Sequence, residues 1–420
     1  MTSYTERLAD LERERGRPVR VGLVGAGQMG RGLAVQVGRL PGMRLAAAFD
    51  VDEDRARHAI RLAGEDEPES HAGRATRAVA EGRPVALPDA GAATELDLDV
   101  VLEATGVPGV VASVASRCLL AGLHYVTLNA EMDVTVGRFL DVLARRAGVV
   151  YTVACGDEPV AAKELVDFAH DLALEVVCAG KGKNNPFDPA ATPDSVAAEA
   201  RGKRMNPKML ASFVDGSKTM VEMAALSNAT GLRPDVVGMH GPKAEVPALA
   251  EVFRPRADGG ILHGRGRVDY AFGPAPGVFC VVTSDDETVA EDMEFLRMGK
   301  GRYWCLYRPY HLANLEAPRA VAMAVLDGRP ALRPATATAE VVAVAKRDLV
   351  AGDVIDGIGG TAVYGTLYPA EEAGGLLPLG LAQEARVTCD VRRRTPIELG
   401  SCELPSNAIT HLRALQDELL

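Results

Sequence analysis

The segment VGLVGAGQMGRG, residues 21–32, constrains this chain more than any other. Gly25, Gly27 and Gly30 stand in G-x-G-x-x-G spacing, directly after the apolar run PVRVGLV. A β-branched apolar run of that kind reads as a strand buried on both faces. Behind the glycines, MGRGLAVQVGRL repeats its apolar residues at helical intervals until the Pro-Gly pair at 41–42 stops it. A second buried strand, MRLAAAFD, then ends in Asp50, twenty residues beyond Gly30. Strand, glycine turn, helix, strand and acid in this order predict a dinucleotide cradle. The glycines allow a tight turn and bring backbone N–H groups to a pyrophosphate at the helix N-terminus, and the acid accepts from a ribose 2′-hydroxyl. Gly25, Gly27, Gln28, Met29, Gly30 and Asp50 are therefore the first expected cofactor contacts. A carboxylate repels a 2′-phosphate, and DVDED at 50–54 is acidic throughout, so NAD is expected ahead of NADP. Arg55 or Arg57 folding back would admit NADP as the second choice.

The parallel pattern continues. LDLDVVLEATG (96–106) reads as a strand ending in a small turn, and LHYVTLNAE (123–131) as another strand. Ligands of open α/β sheets lie at the carboxyl ends of such strands, which adds Thr105, Gly106 and Asn129 to the cofactor set and brings Glu131 near it. Between 55 and 95 the pattern is too irregular to place a strand.

At 420 residues the chain exceeds one ordinary core, so two or three domains are expected. A hydrophobic share of 47% with 25% charged residues is that of a water-soluble globular protein, and no apolar run reaches membrane-spanning length. The start, MTSYTERLADLERERGR, has no apolar signal region and reads as a charged surface helix. Seven scattered cysteines without a C-x-x-C pair point to reduced thiols and a cytoplasmic setting. A net charge of −11 argues against nucleic-acid binding.

Three polar clusters mark the middle of the chain. In CGDEPVAAKEL (155–165) a helix begins near Asp157, and Asp157 and Glu158 can act as acid or base or hold a divalent cation. In KGKNNPFDP (181–189), Lys181, Lys183, Asn184 and Asn185 follow the buried strand LEVVCAG, a donor density suited to a phosphate, carboxylate or enolate oxygen. In DGSKTMVEMAALSNATG (215–231), read as one helix, Asp215, Lys218 and Glu222 share a face, and Lys218 becomes a proton-carrier candidate. Further on, GRYWCLYRPYHL (301–312) offers Arg308 for an anionic substrate group and His311 for titration near neutrality. After a proline-marked linker at 328–336, EVVAVAKRDLVAGDVIDGIGGTAVYGTL gives short strands and Gly-Asp turns, an all-β pattern.

In order, GLVGAGQMGRG, VTLNAEMD, ACGDEP, AGKGKNNP, DGSKTMVEMA, LYRPYHL and AVAKRDLVAGDVIDGIGG resemble homoserine-dehydrogenase-like oxidoreductases with a C-terminal antifreeze-like (SAF) domain. That group includes the deoxyxylulose-5-phosphate reductoisomerase-like enzymes. The resemblance implies an α/β fold in three parts: a Rossmann NAD(P)-binding domain over 1–155, an α+β substrate-binding and oligomerisation domain over 156–330, and a small all-β SAF-like domain over 336–420. It also implies hydride transfer on a small hydroxy- or keto-substrate, polyol- or sugar-derived and open to phosphorylation, with an isomerisation step by analogy. Lys218 takes the place of the family lysine that follows an aspartate. The other family lysine, in an Ala-Asn-Lys segment, is replaced by Glu131 of Asn129-Ala130-Glu131. The Glu-Lys-Pro of glucose–fructose-oxidoreductase-type sugar dehydrogenases is absent too. Divalent metal use would draw on Asp157, Glu158 and Glu131. A small-molecule substrate and a homo-oligomer, dimer or tetramer, complete the expectation. Two other readings stand beside it: an NAD-binding sensor or scaffold without turnover, and a carbohydrate-binding protein working through the SAF-like part.

Overall fold

A computed structural model describes residues 3–420, and the chain divides into two compact units. The first comprises residues up to Asp157 together with Leu312–Arg333 and Asn407–Leu420. It opens with α1 (Tyr4–Arg15), closed at its start by a Ser3–Glu6 capping box. Strands β1 (Val19–Val24), β2 (Met43–Phe49), β3 (Val85–Leu87), β4 (Val100–Glu103), β5 (His124–Thr127) and β6 (Tyr151–Val153) form one parallel sheet ordered β3-β2-β1-β4-β5-β6. That order is the doubly wound dinucleotide-binding arrangement, whose strand order reverses beside β1. Between the strands run α2 (Gln28–Arg39), α3 (Glu53–Leu62), α4 (Ala72–Ala80), α5 (Pro108–Leu120) and α6 (Ala130–Ala147). The stretch in which no strand could be placed by reading contains the three-residue β3, too short to show a period.

The second unit comprises Glu158–His311 and Pro334–Ser406. Its sheet is mixed, ordered β11-β10-β7-β9-β8, with β7 (Glu175–Gly182) at the centre, parallel to β9 (Arg267–Ala271) and antiparallel to β10 (Val278–Thr283). β8 (Arg233–Pro234) and β11 (Tyr303–Arg308) are the edges. Helix α7 (Glu158–Asp171) packs on β7 and β10. Helices α8 (Ala197–Lys203), α9 (Pro207–Val214) and α10 (Ser217–Thr230) follow β7, and the short α11 (Leu249–Val252) and α12 (Glu287–Phe295) lie further along the chain. The apolar core here joins Val177, Leu249, Phe253 and Phe279, with the Phe253 and Phe279 rings stacked at 5.1 Å.

Pro334–Ser406 is a β module, as its turn pattern suggested, built on β12 (Ala339–Ala345) paired antiparallel with β13 (Val363–Pro369) and on the short pair β14 (Arg386–Val387) and β15 (Cys402–Glu403). Two boundaries differ from the three-part reading. The β module is not separate: both of its long strands pack on α10, and it belongs to the same compact unit as the mixed sheet. Nor does it run to the C-terminus. The last helix of the chain, written here as α14 (Ala408–Leu419) after α13 (Ala313–Ala322), returns to the first unit, where the Gln416 side chain bonds Phe139 N–H and Thr135 C=O. The linker reading of 328–336 changes as well, because Thr152 Oγ1 accepts from Ala331 and Leu332 N–H and fastens that stretch beside β6. No helix among the described residues is long and apolar enough to cross a membrane.

Asn228, near the end of α10, shows how the β module is held. Its Oδ1 accepts from Thr338 and Ala339 N–H at 2.9 and 3.0 Å, and its Nδ2 donates to Ala339 C=O at 3.1 Å. Replacing it by Ala strands three backbone groups at a buried seam, each loss being of the order of a kilocalorie or more. Asn228→Ala should therefore lower unfolding stability by about 2–4 kcal/mol, measured by urea denaturation. A change below about 0.5 kcal/mol would mean that the seam does not depend on this side chain.

Candidate functional site

In the first unit the glycine turn has the shape its spacing foretold. Gly25 adopts φ +90°, where a side chain would be strained, and a Cβ on Gly30 would stand 1.9 Å from Gly25 C=O. Above Gly27, by contrast, a Cβ would meet nothing within 4 Å, so the backbone at the start of α2 lies open to a ligand. Gln28 and Met29 form the first residues of α2. The Asp50 carboxylate, at the end of β2, accepts from Ala26 N–H at 2.8 Å and from Asp52 N–H at 3.0 Å, so it also holds the glycine turn in place. Thr105 and Gly106 follow β4, and Thr105 packs against Gly25. Asn129 is buried and caps α6, accepting from Met132 N–H, which gives it a structural task, and Glu131 stands in the first turn of that helix.

Glu103, passed over by reading because it sits inside the apolar run VVLEATG, ends β4 fully buried. Its carboxylate accepts from Thr127 Oγ1 and Thr105 N–H, both at 2.5 Å. Burial outweighs these bonds and pushes its pKa up to about 7. A charged residue at the end of an otherwise apolar parallel strand was the signal available.

The second unit gathers the lysines. Lys181 and Lys183 are two residues apart, Lys181 on β7 and Lys183 just past its end, and both are buried. Burial would strip the Lys181 proton, but the Glu158 carboxylate at 2.7 Å and the Glu222 carboxylate in direct contact outweigh it, and its pKa is raised. Lys181 is thus a locked cation, unsuited to giving up a proton. Its ammonium already stands between the Glu158 and Glu222 carboxylates and offsets one of their two charges. Glu222, on α10, has its own pKa raised by burial and by Glu158, while Lys181 and Lys218 pull it back. Lys183 has the opposite fate. Its ammonium donates to Phe213 C=O at 2.6 Å, and burial, then the neighbouring Lys181 charge, lower its pKa to about 8.

Lys218 lies half-buried at the start of α10 and feels Glu222 one turn on. The single helix read over 215–231 is broken. Asp215 closes α9, Gly216 turns at φ +89° with no room for a Cβ against the Phe187 ring, and α10 starts at Ser217. Asp215 therefore shares no face with Lys218 and Glu222, and its carboxylate turns to Lys346 instead. Asn184 is exposed and Asn185 half-buried in the loop after β7. Arg308 pairs with Glu164 at 2.7 Å and lies over the Tyr310 ring, while His311 Nε2 stands 3.4 Å from Glu158. Asp157 is buried at the junction before α7, in the first unit.

Residues 156–317 match the family model described as "Oxidoreductase DRL, catalytic domain". The expectation of an oxidoreductase enzyme is borne out at the level of class. That segment covers the whole Glu158–Lys181–Glu222 cluster together with Lys183 and Lys218. No match to a curated protein is found. Solved structures similar to the chain include GenD2 from gentamicin A biosynthesis in complex with NAD, at 17% identity over 74% of this chain and 88% of that one, with a TM-score of 0.38. Another is a scyllo-inositol dehydrogenase from Lactobacillus casei with bound NAD(H) and scyllo-inositol (15%, 70% and 76%, TM-score 0.37). A third is the UDP-N-acetylglucosamine 3-dehydrogenase GnnA from Acidithiobacillus ferrooxidans (16%, 76% and 92%, TM-score 0.42). At these scores the functional argument rests on the chain's own residues.

Glu103 makes a checkable difference to stability. With its folded pKa raised to about 7 from an ordinary 4.5, the native state binds the extra proton between those values, so stability falls as pH rises through that window. Glu103→Gln removes this dependence. Urea unfolding at pH 5 and pH 8 should show the variant gaining relative to the parent at the higher pH, and an equal difference at both would place the Glu103 pKa in the ordinary range.

Proposed function

We propose that this protein is an NAD-dependent oxidoreductase that transfers hydride to and from a small hydroxy- or keto-substrate of polyol or sugar type, with Lys183 carrying the proton. The observation that supports the proton's route is the contrast between two neighbouring lysines, one locked as a cation by two carboxylates and the other pushed down to about 8. A group that changes charge near the working pH serves best as acid and base. Gly25, Gly27, Gln28, Met29 and Gly30 would hold the dinucleotide phosphates, and Asp50 would accept from the ribose, since the open backbone over Gly27 and the carboxylate at the end of β2 suit them.

A bound nicotinamide supplies or takes a hydride. The chain supplies the rest. In carbonyl reduction the Lys183 ammonium gives its proton to the oxygen that gains charge, and in the reverse direction the neutral amine takes it from the hydroxyl. Lys181 keeps a fixed positive charge beside that oxygen at every working pH, the electrostatic share of the task. Lys218 and Asn185 orient the substrate's other oxygens. The homoserine-dehydrogenase-like and reductoisomerase-like assignments, including a carbon-skeleton shift, rest on the sequence motifs alone, and hydride transfer requires neither.

The cofactor half is tested by calorimetry. NAD(H) should bind at least tenfold more tightly than NADP(H), a difference of ~1.4 kcal/mol. Asp50→Ala should narrow that ratio while weakening both, because the Ala26 N–H loses its acceptor. Equal affinities in the parent protein would remove Asp50 from the cofactor's ribose.

The chemical half is tested with a panel of small polyols, hydroxy acids and sugars, followed by NADH absorbance. On the best substrate, Lys183→Met should lower turnover by ~10²-fold or more, the scale of a lost acid–base group, with NAD affinity within about twofold. Oxidation should rise with pH through about 8 in the parent, and reduction should fall through the same value, since Lys183 must be neutral for one and charged for the other. Turnover that survives in the Lys183 variant would return the role to Lys218.

A further inference from the structure

Lys346 ends up where nothing in the sequence directs attention. It follows the last residue of β12, inside the β module, and its side chain is only 2% exposed. Its ammonium makes an ion pair with Asp215 at 2.8 Å and donates to Ala191 C=O at 2.6 Å and Gly360 C=O at 2.7 Å. Those partners come from three places: the junction of α9 and α10, the loop after β7, and the turn before β13. Asp215 in turn accepts from Ser217 N–H at 2.8 Å, and Ser217 Oγ accepts from Gly365 N–H at 2.8 Å. Two residues before Asp215, on α9, Phe213 C=O holds Lys183.

We propose that Lys346 is a positioning residue of the catalytic unit, which keeps Asp215 ionised and the α9–α10 junction in place and thereby sets the protonation of Lys183. The inference rests on the reading of Lys183 as proton carrier but concerns a residue that does not touch it. The β module is then part of the catalytic apparatus and not an appended domain. The electrostatics agree with the geometry. Burial drives the Asp215 carboxyl toward neutrality, and Lys346, then Ser217, oppose it. The groups facing Lys183 are Lys181 from β7, Glu222 from α10 and Asp215 from the junction, and the last two raise its affinity for a proton. Without Lys346, Asp215 takes up a proton and Lys183 loses one of its two supports.

Competitive acetylation of the full-length protein with trace acetic anhydride, between pH 6 and pH 11, reads this directly when the Lys183 peptide is quantified by mass spectrometry. The labelling midpoint of Lys183 should fall by roughly 0.5–1 pH unit in Asp215→Asn and in Lys346→Met. The double variant should match either single one, and Lys346→Arg should stay near the parent value. The double variant, lacking both buried charges, keeps the test open where a single variant unfolds. A Lys183 midpoint unchanged in the folded double variant overturns the proposal. Failure of the proton-carrier reading looks different: the midpoint moves as expected, but Lys183→Met keeps its turnover.

Discussion

The ammonium of Lys181 between Glu158 and Glu222 is the interaction on which the second unit turns. Two carboxylates that close together, one of them fully buried, would repel each other and favour binding a proton. A lysine between them keeps the cluster charged, and it does so from the middle of the sheet, where β7 is flanked on both sides. Its position fixes three elements at once: the start of α7 through Glu158, β7 itself, and α10 through Glu222. It also creates the condition for the next lysine. A permanent positive charge two residues away, added to burial, makes Lys183 the easier of the two to deprotonate. The strand thus carries a cation that cannot change, and the residue just past its end is one that can.

Much of the first unit was legible because its physics is local. Gly25, Gly27, Gly30 and Asp50 are separated by spacings that only a strand–turn–helix–strand path satisfies, and backbone conformation at Gly25 enforces it. The lysine and asparagine cluster after β7 was legible for a similar reason: charged residues abruptly ending an apolar run. What could not be read depended on partners far apart in the chain. Whether Lys181 or Lys183 can move a proton is decided by Glu158 and Glu222, which lie 23 and 41 residues from Lys181. Asp215 reads as part of one helix over 215–231, and only the Phe187 ring packed over Gly216 shows why the helix breaks there and glycine is required. Lys346 carries no signal in the sequence beyond its place in a short-strand pattern. Its partner lies 131 residues earlier, a separation no pattern along the chain can encode.

The buried charges of the second unit make a final point when taken together. Lys181, Lys183 and Lys346 lie buried among the carboxylates of Glu158, Glu222 and Asp215, and Lys218 is close enough to pull on Glu222 as well. Releasing the Lys183 proton changes the charge of a buried place, which is least costly where another group can change its charge in step. Glu222 is the group disposed to gain a proton, since burial and Glu158 both push its pKa up while that of Lys183 is pushed down. Pairs displaced in opposite directions are how a fold supplies acid and base from ordinary side chains. Lys183 has that carboxyl on α10 within electrostatic reach, and Asp215, paired with Lys346, adds a second negative charge that favours its protonated form.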